Sequence, residues 1–190
     1  GRGRMAVVSL PVDEIRRRLA GLDDQVGIAT IDGPGMTTIS GETEAVAEFV
    51  ALLQDDEVFV RFLDIDVALH GPDAKALQGA LERDLFGLVP REATVPYRPG
   101  QVIDASFWAR LLTEPTSLAD TVATLNDGPR APVLEIGPTL SLKGPLRRLT
   151  EGAPVLPSLT SRHSASAVAA ISALCRYSRP STGSRHDAGP

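Results

Sequence analysis

Four short runs rich in β-branched residues alternate with amphipathic segments in the first third of the chain. The runs lie at residues 5–10, 26–31, 36–40 and 58–65, and their composition is typical of strands. The second and third runs are separated only by Asp-Gly-Pro-Gly at residues 32–35, a sequence that favours a tight turn. This spacing predicts a hairpin flanked by two outer strands.

The segments between the outer runs have the periodicity of helices. Pro11 is placed to open the first helix, and its apolar residues are spaced for one helical face, as are those of the second helix. These residues are Ile15, Leu19 and Leu22 in the first and Val46, Phe49, Val50 and Leu53 in the second. The order β-α-β-β-α-β is that of a ferredoxin-like subdomain, which we expect at residues 1–66. That fold hosts many unrelated functions.

Residues 67–160 read as a second α/β region. A helix after residue 72 carries four leucines, which we expect on its buried face: Leu77, Leu81, Leu85 and Leu88. Strands are predicted at 93–97, 132–136 and 153–159. Helices are predicted at 106–125, with an interruption at Pro115, and at 142–149, with a break near Gly144 and Pro145. This alternation favours a parallel α/β layer.

Composition shifts after residue 160, where Ser and Ala become frequent, and the last residues are rich in Pro, Gly and Ser. We expect residues 161–190 to be a linker and a disordered tail, with one possible helix at 165–175. The predicted organisation is therefore a small subdomain, a part of a larger α/β core and a linker.

Charge and cysteine content exclude several classes of protein. The formal net charge is -5, from 19 basic and 24 acidic residues, which argues against a nucleic-acid-binding protein. One cysteine permits no intrachain disulfide, and the three histidines, His70, His163 and His186, are too far apart in sequence for a metal-ligand cluster. No signal peptide or membrane span is evident, so we expect a cytoplasmic location.

His70 is the titratable residue best placed for chemistry. It follows a strand and precedes Gly71, Pro72 and a helix, and a neutral imidazole there could exchange a proton with a hydroxyl or a thiol. A surface or packed loop histidine is the alternative. No G-x-S-x-G elbow supplies a nucleophile, and Cys175 lies in an apolar stretch typical of an inert thiol.

Two further sets of residues have simple structural interpretations. Asp64 and Asp66 flank Ile65 and would share one face of a strand, where two solvated charges are the simpler interpretation. Phe107 and Trp108 are interpreted as core packing.

Five motifs in order resemble those of one enzyme family. They are GRGRMA at 1–6, IDGP at 31–34 with ISG at 39–41, DVALH at 66–70, FWARLLTEP at 107–115 and LEIGP at 134–138. The corresponding family patterns are G-x-G-x-M-A, N-G-P…V-S-G, Y-A-S-H or H-A-F-H, Y-W-x-x-N-L-x-x-P and F-E-V-G-P. The chain therefore resembles the malonyl-CoA:acyl-carrier-protein transacylases, and most closely the C-terminal half of acyltransferase domains of type I modular polyketide synthases.

The resemblance implies a mechanism in two acyl-transfer steps. A serine outside this chain would attack an acyl-CoA of the malonyl or methylmalonyl type, with His70 as the base. The acyl group would then pass to the phosphopantetheine thiol of an acyl carrier protein. No bound cofactor or metal is implied. The implied partners are that carrier protein, the N-terminal acyltransferase half and the ketosynthase and linker regions of a larger synthase.

Several substitutions depart from the family pattern. Val67, Ala68 and Leu69 occupy the substrate-specificity box, with Val67 and Leu69 in place of aromatic or hydroxyl residues. Leu111 replaces an Asn that helps to orient the catalytic histidine region or the substrate, and Thr139 replaces a His. These departures favour a degenerate or unusual acyltransferase, for example a non-catalytic remnant that binds a carrier protein or linkers. A stand-alone ferredoxin-like domain that binds small molecules or partners is a third alternative, and it leaves residues 67–160 unexplained.

Overall fold

A computed structural model of the chain describes residues 3–91, 102–125, 132–137 and 141–158. The chain divides into two compact units, Gly1–Leu125 and Asn126–Pro190. The strand predicted at 93–97 and the helix predicted at 165–175 lie outside the described residues. Among the described helices, none has both the length and the hydropathy that a membrane crossing requires.

The first unit begins with the predicted order of strands and helices. These elements are β1 Gly3–Val8, α1 Val12–Arg18, β2 Val26–Gly33, β3 Met36–Glu42, α2 Thr43–Asp55 and β4 Val60–Phe62. They are followed by α3 Pro72–Asp84, α4 Ala105–Thr113, β5 Thr116–Ser117 and α5 Leu118–Leu125. The five strands form one sheet in the order β4-β1-β3-β2-β5, antiparallel except for the parallel pair β2 and β5.

One face of this sheet forms the main core with α1 and α2. Ala6, Val8 and Ile39 are fully buried there. The helices contribute Ile15 and Phe49 among other buried side chains. Alternate residues of a strand point to opposite faces, so the apolar alternation in the sequence selects this face for the core.

The opposite face of the sheet is also covered. Met5, Thr38 and Ser40 point to it, and all three are buried although they lie outside the main apolar cluster. We call this surface the second face. It is in contact with residues 67–72, which include His70 and run from the connection after β4 into the first residue of α3.

The two helices α3 and α4 pack on each other, and the leucines of α3 differ from the sequence prediction. Ala74 is the buried residue of α3, whereas Leu77 is 56% exposed and Leu88 is 44% exposed. The predicted burial is therefore wrong for Leu77 and Leu88. The helix ends at Asp84, so Leu88 lies beyond it, and a leucine stripe indicates an apolar face without indicating what covers it.

Pro115 divides the segment 106–125 as predicted. Helix α4 ends at Thr113, and α5 begins at Leu118 after the two residues of β5. Proline cannot supply the N–H that a continuing helix needs, and it disfavours helical geometry in the residue before it.

The second unit contains the parallel pair β6 Val133–Glu135 and β7 Val155–Pro157, joined by α6 Lys143–Leu149. One carboxylate oxygen of Glu135 accepts hydrogen bonds from the Ser141 N–H, the Ser141 hydroxyl and the Leu142 N–H, which lie at the start of α6. The break predicted near Pro145 is wrong. Pro145 is in the first turn of α6, where a missing N–H leaves no hydrogen bond unmade.

The Asp104 carboxylate caps α4 and links the stability of this helix to pH. It accepts hydrogen bonds from the Phe107 backbone N–H at 2.8 Å and the Ser106 hydroxyl at 2.9 Å. Together these bonds hold the pKa of Asp104 below its ordinary value of 3.8, and the bond from the Phe107 backbone has the larger effect. Because this pKa is lowered in the folded state, the stabilisation is complete above the ordinary value and is lost as pH falls through the folded one.

We expect Asp104→Asn to lower the melting temperature at neutral pH, because a neutral cap accepts weaker hydrogen bonds than a carboxylate. The difference from wild type should shrink as the pH falls below the ordinary value of 3.8, because the wild-type carboxylate takes up a proton as the pH passes its lowered pKa. Circular dichroism melts across this range measure both quantities. Asp55→Asn at the end of α2 is the control and should not lower stability, since a negative charge is unfavourable there. A constant difference at every pH would contradict the prediction.

Candidate functional site

His70 is held by two backbone carbonyls at the end of α4. The backbone N–H of His70 donates a hydrogen bond to the Leu112 carbonyl at 3.0 Å. The ring Nδ1 lies 2.9 Å from the Glu114 carbonyl oxygen. A carbonyl can only accept, so Nδ1 must carry the proton in this contact. In a neutral ring, Nε2 is then the nitrogen that can accept a proton from another group.

The sequence at the end of α4 explains why these carbonyls are available. The last carbonyls of a helix have no partner within the helix. Pro115 restricts the residue before it to extended geometry, and Glu114 has φ -95° and ψ 148°. The Glu114 N–H still bonds to the Arg110 carbonyl at 2.8 Å, so the chain leaves the helix abruptly at this residue. Its carbonyl can therefore accept from His70 rather than continue the helical ladder.

His70 adopts a left-handed backbone conformation, with φ 60°. Such a conformation is uncommon for a residue with a Cβ and costs roughly 1–2 kcal/mol. The two hydrogen bonds to the end of α4 offset this cost, since a hydrogen bond typically contributes about 1 kcal/mol net. A strained residue that is held by specific contacts is typical of a functional site.

A cavity of about 620 Å³ adjoins His70. Besides His70 and Thr116 its lining is apolar, consisting of Trp108 and six leucines: Leu69, Leu81, Leu85, Leu88, Leu111 and Leu112. The interpretation of Trp108 as core packing is wrong, because its side chain is 44% exposed and borders this cavity. Phe107 is buried, and its ring meets that of Trp108 edge to face at 5.4 Å.

The three residues of the expected specificity region differ in their surroundings. Leu69 borders the cavity beside His70. Val67 and Ala68 lie instead against Gly3 of β1, and Val67 is 47% exposed. The structure thus brings Leu69 together with His70 at the cavity, while Val67 and Ala68 contact the sheet.

The remaining sequence candidates lie elsewhere. Asp64 and Asp66 are exposed and follow the end of β4, where they border a second cavity of about 380 Å³ together with Arg4. The Arg4 guanidinium lies 3.9 Å from the centre of the Phe62 ring. Within the described residues no group of three or more His, Cys, Asp or Glu is placed to hold a metal ion. Cys175, Thr139, His163 and His186 lie outside the described residues.

Sequence reasoning missed the partners of His70, because they are backbone atoms. A carbonyl has no residue signature, and the family pattern points only to position 111, where Leu111 replaces an Asn. In the structure this support comes from the carbonyls of Leu112 and Glu114. The signal that could have identified them is Pro115, which marks the end of a helix and hence a set of free carbonyls.

This α/β fold agrees with the comparisons with known proteins. A family model described as "Acyl transferase domain" matches residues 1–143. The chain therefore belongs to the acyl transferase domain family.

Curated relatives are large synthases of which the chain matches a small part. Polyketide synthase GfsE of Streptomyces halstedii is 32% identical over 153 residues, which is 72% of this chain and 4% of that synthase. Erythronolide synthase EryA2 of Saccharopolyspora erythraea is 30% identical over 146 residues, which is 73% of this chain and 4% of that synthase.

Solved structures show the same fold. The acyltransferase domain from the second module of the salinomycin polyketide synthase superposes with a TM-score of 0.80 at 24% identity, covering 90% of this chain and 43% of that domain. Malonyl CoA-acyl carrier protein transacylase from Clostridium perfringens superposes with a TM-score of 0.77 at 17% identity, covering 93% of this chain and 58% of that protein. The chain thus corresponds to part of the acyltransferase fold.

The left-handed conformation of His70 predicts an unusual order of stability for two variants. Both His70→Gly and His70→Ala lose the ring contact with Glu114, so their difference isolates the backbone. We expect the glycine variant to be more stable by about 1 kcal/mol, since only glycine adopts this conformation without strain. Urea denaturation measures the difference.

The matched control for this pair is Asp66, an exposed residue of the same connection that does not have a positive φ. There glycine should be less stable than alanine, because glycine loses more freedom on folding. The same order of stability between the glycine and alanine variants at both positions would contradict the left-handed backbone conformation at His70.

Proposed function

We propose that this chain supplies the catalytic base of an acyltransferase that moves an acyl group from coenzyme A to a carrier-protein thiol. The contact between His70 Nδ1 and the Glu114 carbonyl carries this proposal, because it selects the tautomer whose Nε2 can accept a proton. Membership of the acyl transferase domain family supports it.

The proposed reaction proceeds in two steps around a serine that lies outside this chain. His70 Nε2 accepts the serine proton as the hydroxyl attacks the acyl-CoA thioester, and the protonated ring returns the proton to the departing coenzyme A thiol. The phosphopantetheine thiol of an acyl carrier protein then attacks the acyl-serine, and His70 again accepts and returns a proton. The acyl-CoA is a substrate, and the phosphopantetheine belongs to the carrier protein.

The end of α4 supports the charged intermediate of this mechanism. A ring that has taken up a proton carries a positive charge next to the Glu114 carbonyl. The C-terminal end of a helix is the negative end of its dipole and stabilises a nearby cation. These carbonyls take the orienting role that a carboxylate has in a Ser-His-Asp triad.

We assign substrate selection to the region of Val67, Ala68 and Leu69. Leu69 is the member that borders the cavity, so it would contact the acyl group, whereas Val67 and Ala68 would act by setting the course of the chain against β1. Malonyl- and methylmalonyl-CoA are the proposed class of substrate. The cytoplasm, where such synthases would meet coenzyme A thioesters, is the proposed location.

The proposed organisation follows from the order of elements. Residues 1–66 form a ferredoxin-like subdomain, with the sheet order β4-β1-β3-β2 in support. Residues 67–160 form the C-terminal part of the acyltransferase core, and residues 161–190 form the linker that follows it. The N-terminal part of the core, the carrier protein and the ketosynthase and linker regions of the larger synthase are the proposed partners.

The apolar cavity supports a protein partner next to His70. Solved relatives contain more than the part that this chain matches, which is 43% in the salinomycin domain. Leucines exposed along α3 and beyond it form an apolar surface of the kind that marks an interface. The remainder of the core, with its serine, would cover this surface and bring its hydroxyl to Nε2.

Co-expression with the serine-bearing part of a related acyltransferase tests this function. We expect acyl-enzyme formation from malonyl- or methylmalonyl-CoA, followed by transfer to a carrier protein, both detected by mass spectrometry. His70→Ala should slow acylation by about 10²–10⁴-fold, the usual contribution of a general base. His163→Ala is the control and should react at the wild-type rate. No acylation, or acylation that His70→Ala leaves unchanged, would rule out the proposed role.

A second variant tests the proposed cover of the cavity. Leu85→Asp places a charge in the apolar lining and should abolish co-purification with the serine-bearing part, because burying an unpaired charge is strongly unfavourable. Leu52→Asp is the matched control, since Leu52 is 62% exposed on α2 and does not line the cavity. Equal co-purification of both variants would contradict the interface.

The alternative is a degenerate acyltransferase remnant that binds a carrier protein or linkers without catalysis. The replacements at Val67, Leu69 and Leu111 favour it, because they depart from the family's patterns. It predicts binding of a carrier protein to the isolated chain, measured by titration calorimetry, together with no acylation in the co-expression assay. The absence of both binding and acylation would exclude this alternative as well.

A further inference from the structure

The second face of the sheet presents a strip of small residues to the segment that carries His70. In the strand register Met5 of β1 pairs with Ser40 of β3, and Ser40 pairs with Gly27 of β2. Gly3 lies two residues before Met5 and therefore points to the same face. Gly3, Ser40 and Gly27 thus lie on one face of three adjacent strands.

Residues 67–72 cross these three strands in order and at very short range. A Cβ on Gly3 would stand 2.3 Å from the Ala68 backbone nitrogen and 2.8 Å from the Val67 carbonyl carbon. A Cβ on Gly71 would stand 3.1 Å from the Ser40 carbonyl oxygen and 3.2 Å from its hydroxyl. A Cβ on Gly27 would stand 3.1 Å from Cδ of Pro72. His70 lies within the segment that these contacts hold.

Backbone conformation does not require glycine at these positions. Gly71 has φ -92° and ψ -177°, a conformation open to any residue, and among the described glycines only Gly21, Gly87 and Gly152 have positive φ. Gly3 and Gly27 lie within regular strands. Glycine in a strand usually weakens it unless another backbone must approach closely. The close approach of residues 67–72 to the sheet is therefore the reason for glycine at all three positions.

The surroundings of Ser40 show how closely residues 67–72 pack against the sheet. The Ser40 side chain is fully buried, and its hydroxyl has no hydrogen-bond partner within the described part of the chain. Such a buried hydroxyl is unfavourable, and native structures retain few of them. Here the hydroxyl lies 3.2 Å from the place that a Cβ on Gly71, one residue after His70, would occupy.

We propose that Gly3, Gly27 and Gly71 are positioning residues for His70. They allow residues 67–72 to lie directly on the sheet and so set the distance of His70 from the sheet. At this distance the backbone N–H of His70 meets the Leu112 carbonyl and the ring Nδ1 meets the Glu114 carbonyl. A methyl group at position 71 displaces the segment from the sheet and lengthens both hydrogen bonds. The catalytic meaning of this geometry rests on the proposed function, but the geometry itself does not.

The test measures the tautomer of the His70 ring in the full chain by ¹⁵N NMR, with His163 and His186 replaced by Gln so that one ring is observed. We expect wild type to show the Nδ1–H tautomer. Gly71→Ala should lose it in favour of the Nε2–H form that a free imidazole prefers, and the His70 amide should exchange faster with solvent. Gly27→Ala should cause a smaller shift in the same direction, since its Cβ would be closest to the Pro72 ring, at 3.1 Å, and would meet the Gly71 Cα only at 3.7 Å.

Gly79→Ala is the matched control within α3, because a Cβ there would meet only the end of the Arg83 side chain at 3.5 Å. It should leave the tautomer and the amide exchange unchanged. Wild-type tautomer and exchange in both Gly71→Ala and Gly27→Ala would overturn the proposal. If Gly71→Ala does not fold, Gly27→Ala decides: a shifted tautomer supports the proposal, and an unchanged one overturns it.

These measurements separate the proposal from the proposed function, since the ring tautomer is observed without any reaction. A shifted tautomer in Gly71→Ala together with no acyl transfer in the co-expression assay would leave the positioning role standing and remove the catalytic one. If Gly71→Ala shows an unchanged tautomer and the co-expression assay shows acyl transfer at the wild-type rate, the catalytic role would stand and the positioning role would be removed.

Discussion

The short approach of residues 67–72 to the second face of the sheet constrains the geometry around His70. It leaves no room for a Cβ at Gly3 and little room for one at Gly71, and it buries the hydroxyl of Ser40 without a hydrogen-bond partner among the described residues. It also places the start of α3 against β2 and β3. The small sheet thus has two functions in the structure. One face forms a core with α1 and α2, and the other supports the histidine.

The hydrogen bonds of His70 depend on a second constraint, the abrupt end of α4. Asp104 fixes where this helix begins, and Pro115 fixes where it ends. Two carbonyls at a defined place therefore have no partner within the helix and can accept from His70. His70 reaches both of them only with a left-handed backbone. Sheet and helix therefore act together, because the sheet sets the position of the loop and the helix end sets the orientation of the ring.

Much of the secondary structure could be predicted because it depends on local patterns. Strands β1 to β4 follow from runs of β-branched residues, the hairpin turn from Pro34 and Gly35, and the end of α4 from Pro115, although β2 extends beyond its predicted end to Gly33. Predictions that needed a knowledge of neighbours were less successful. Leu77 and Trp108 have apolar side chains at helical spacing, but a pattern on one element does not reveal which other element covers it, and both are exposed.

The order of the motifs was enough to indicate the family and to select His70, because residue types and their spacing are local properties of the chain. The partners of His70 were decided by the tertiary structure, since they are backbone carbonyls of residues more than forty positions away in sequence. The reason for glycine at positions 3, 27 and 71 was decided in the same way. A glycine in a sequence has many explanations, and only the packed fold shows that here atoms of a neighbouring segment stand close to where a side chain would begin.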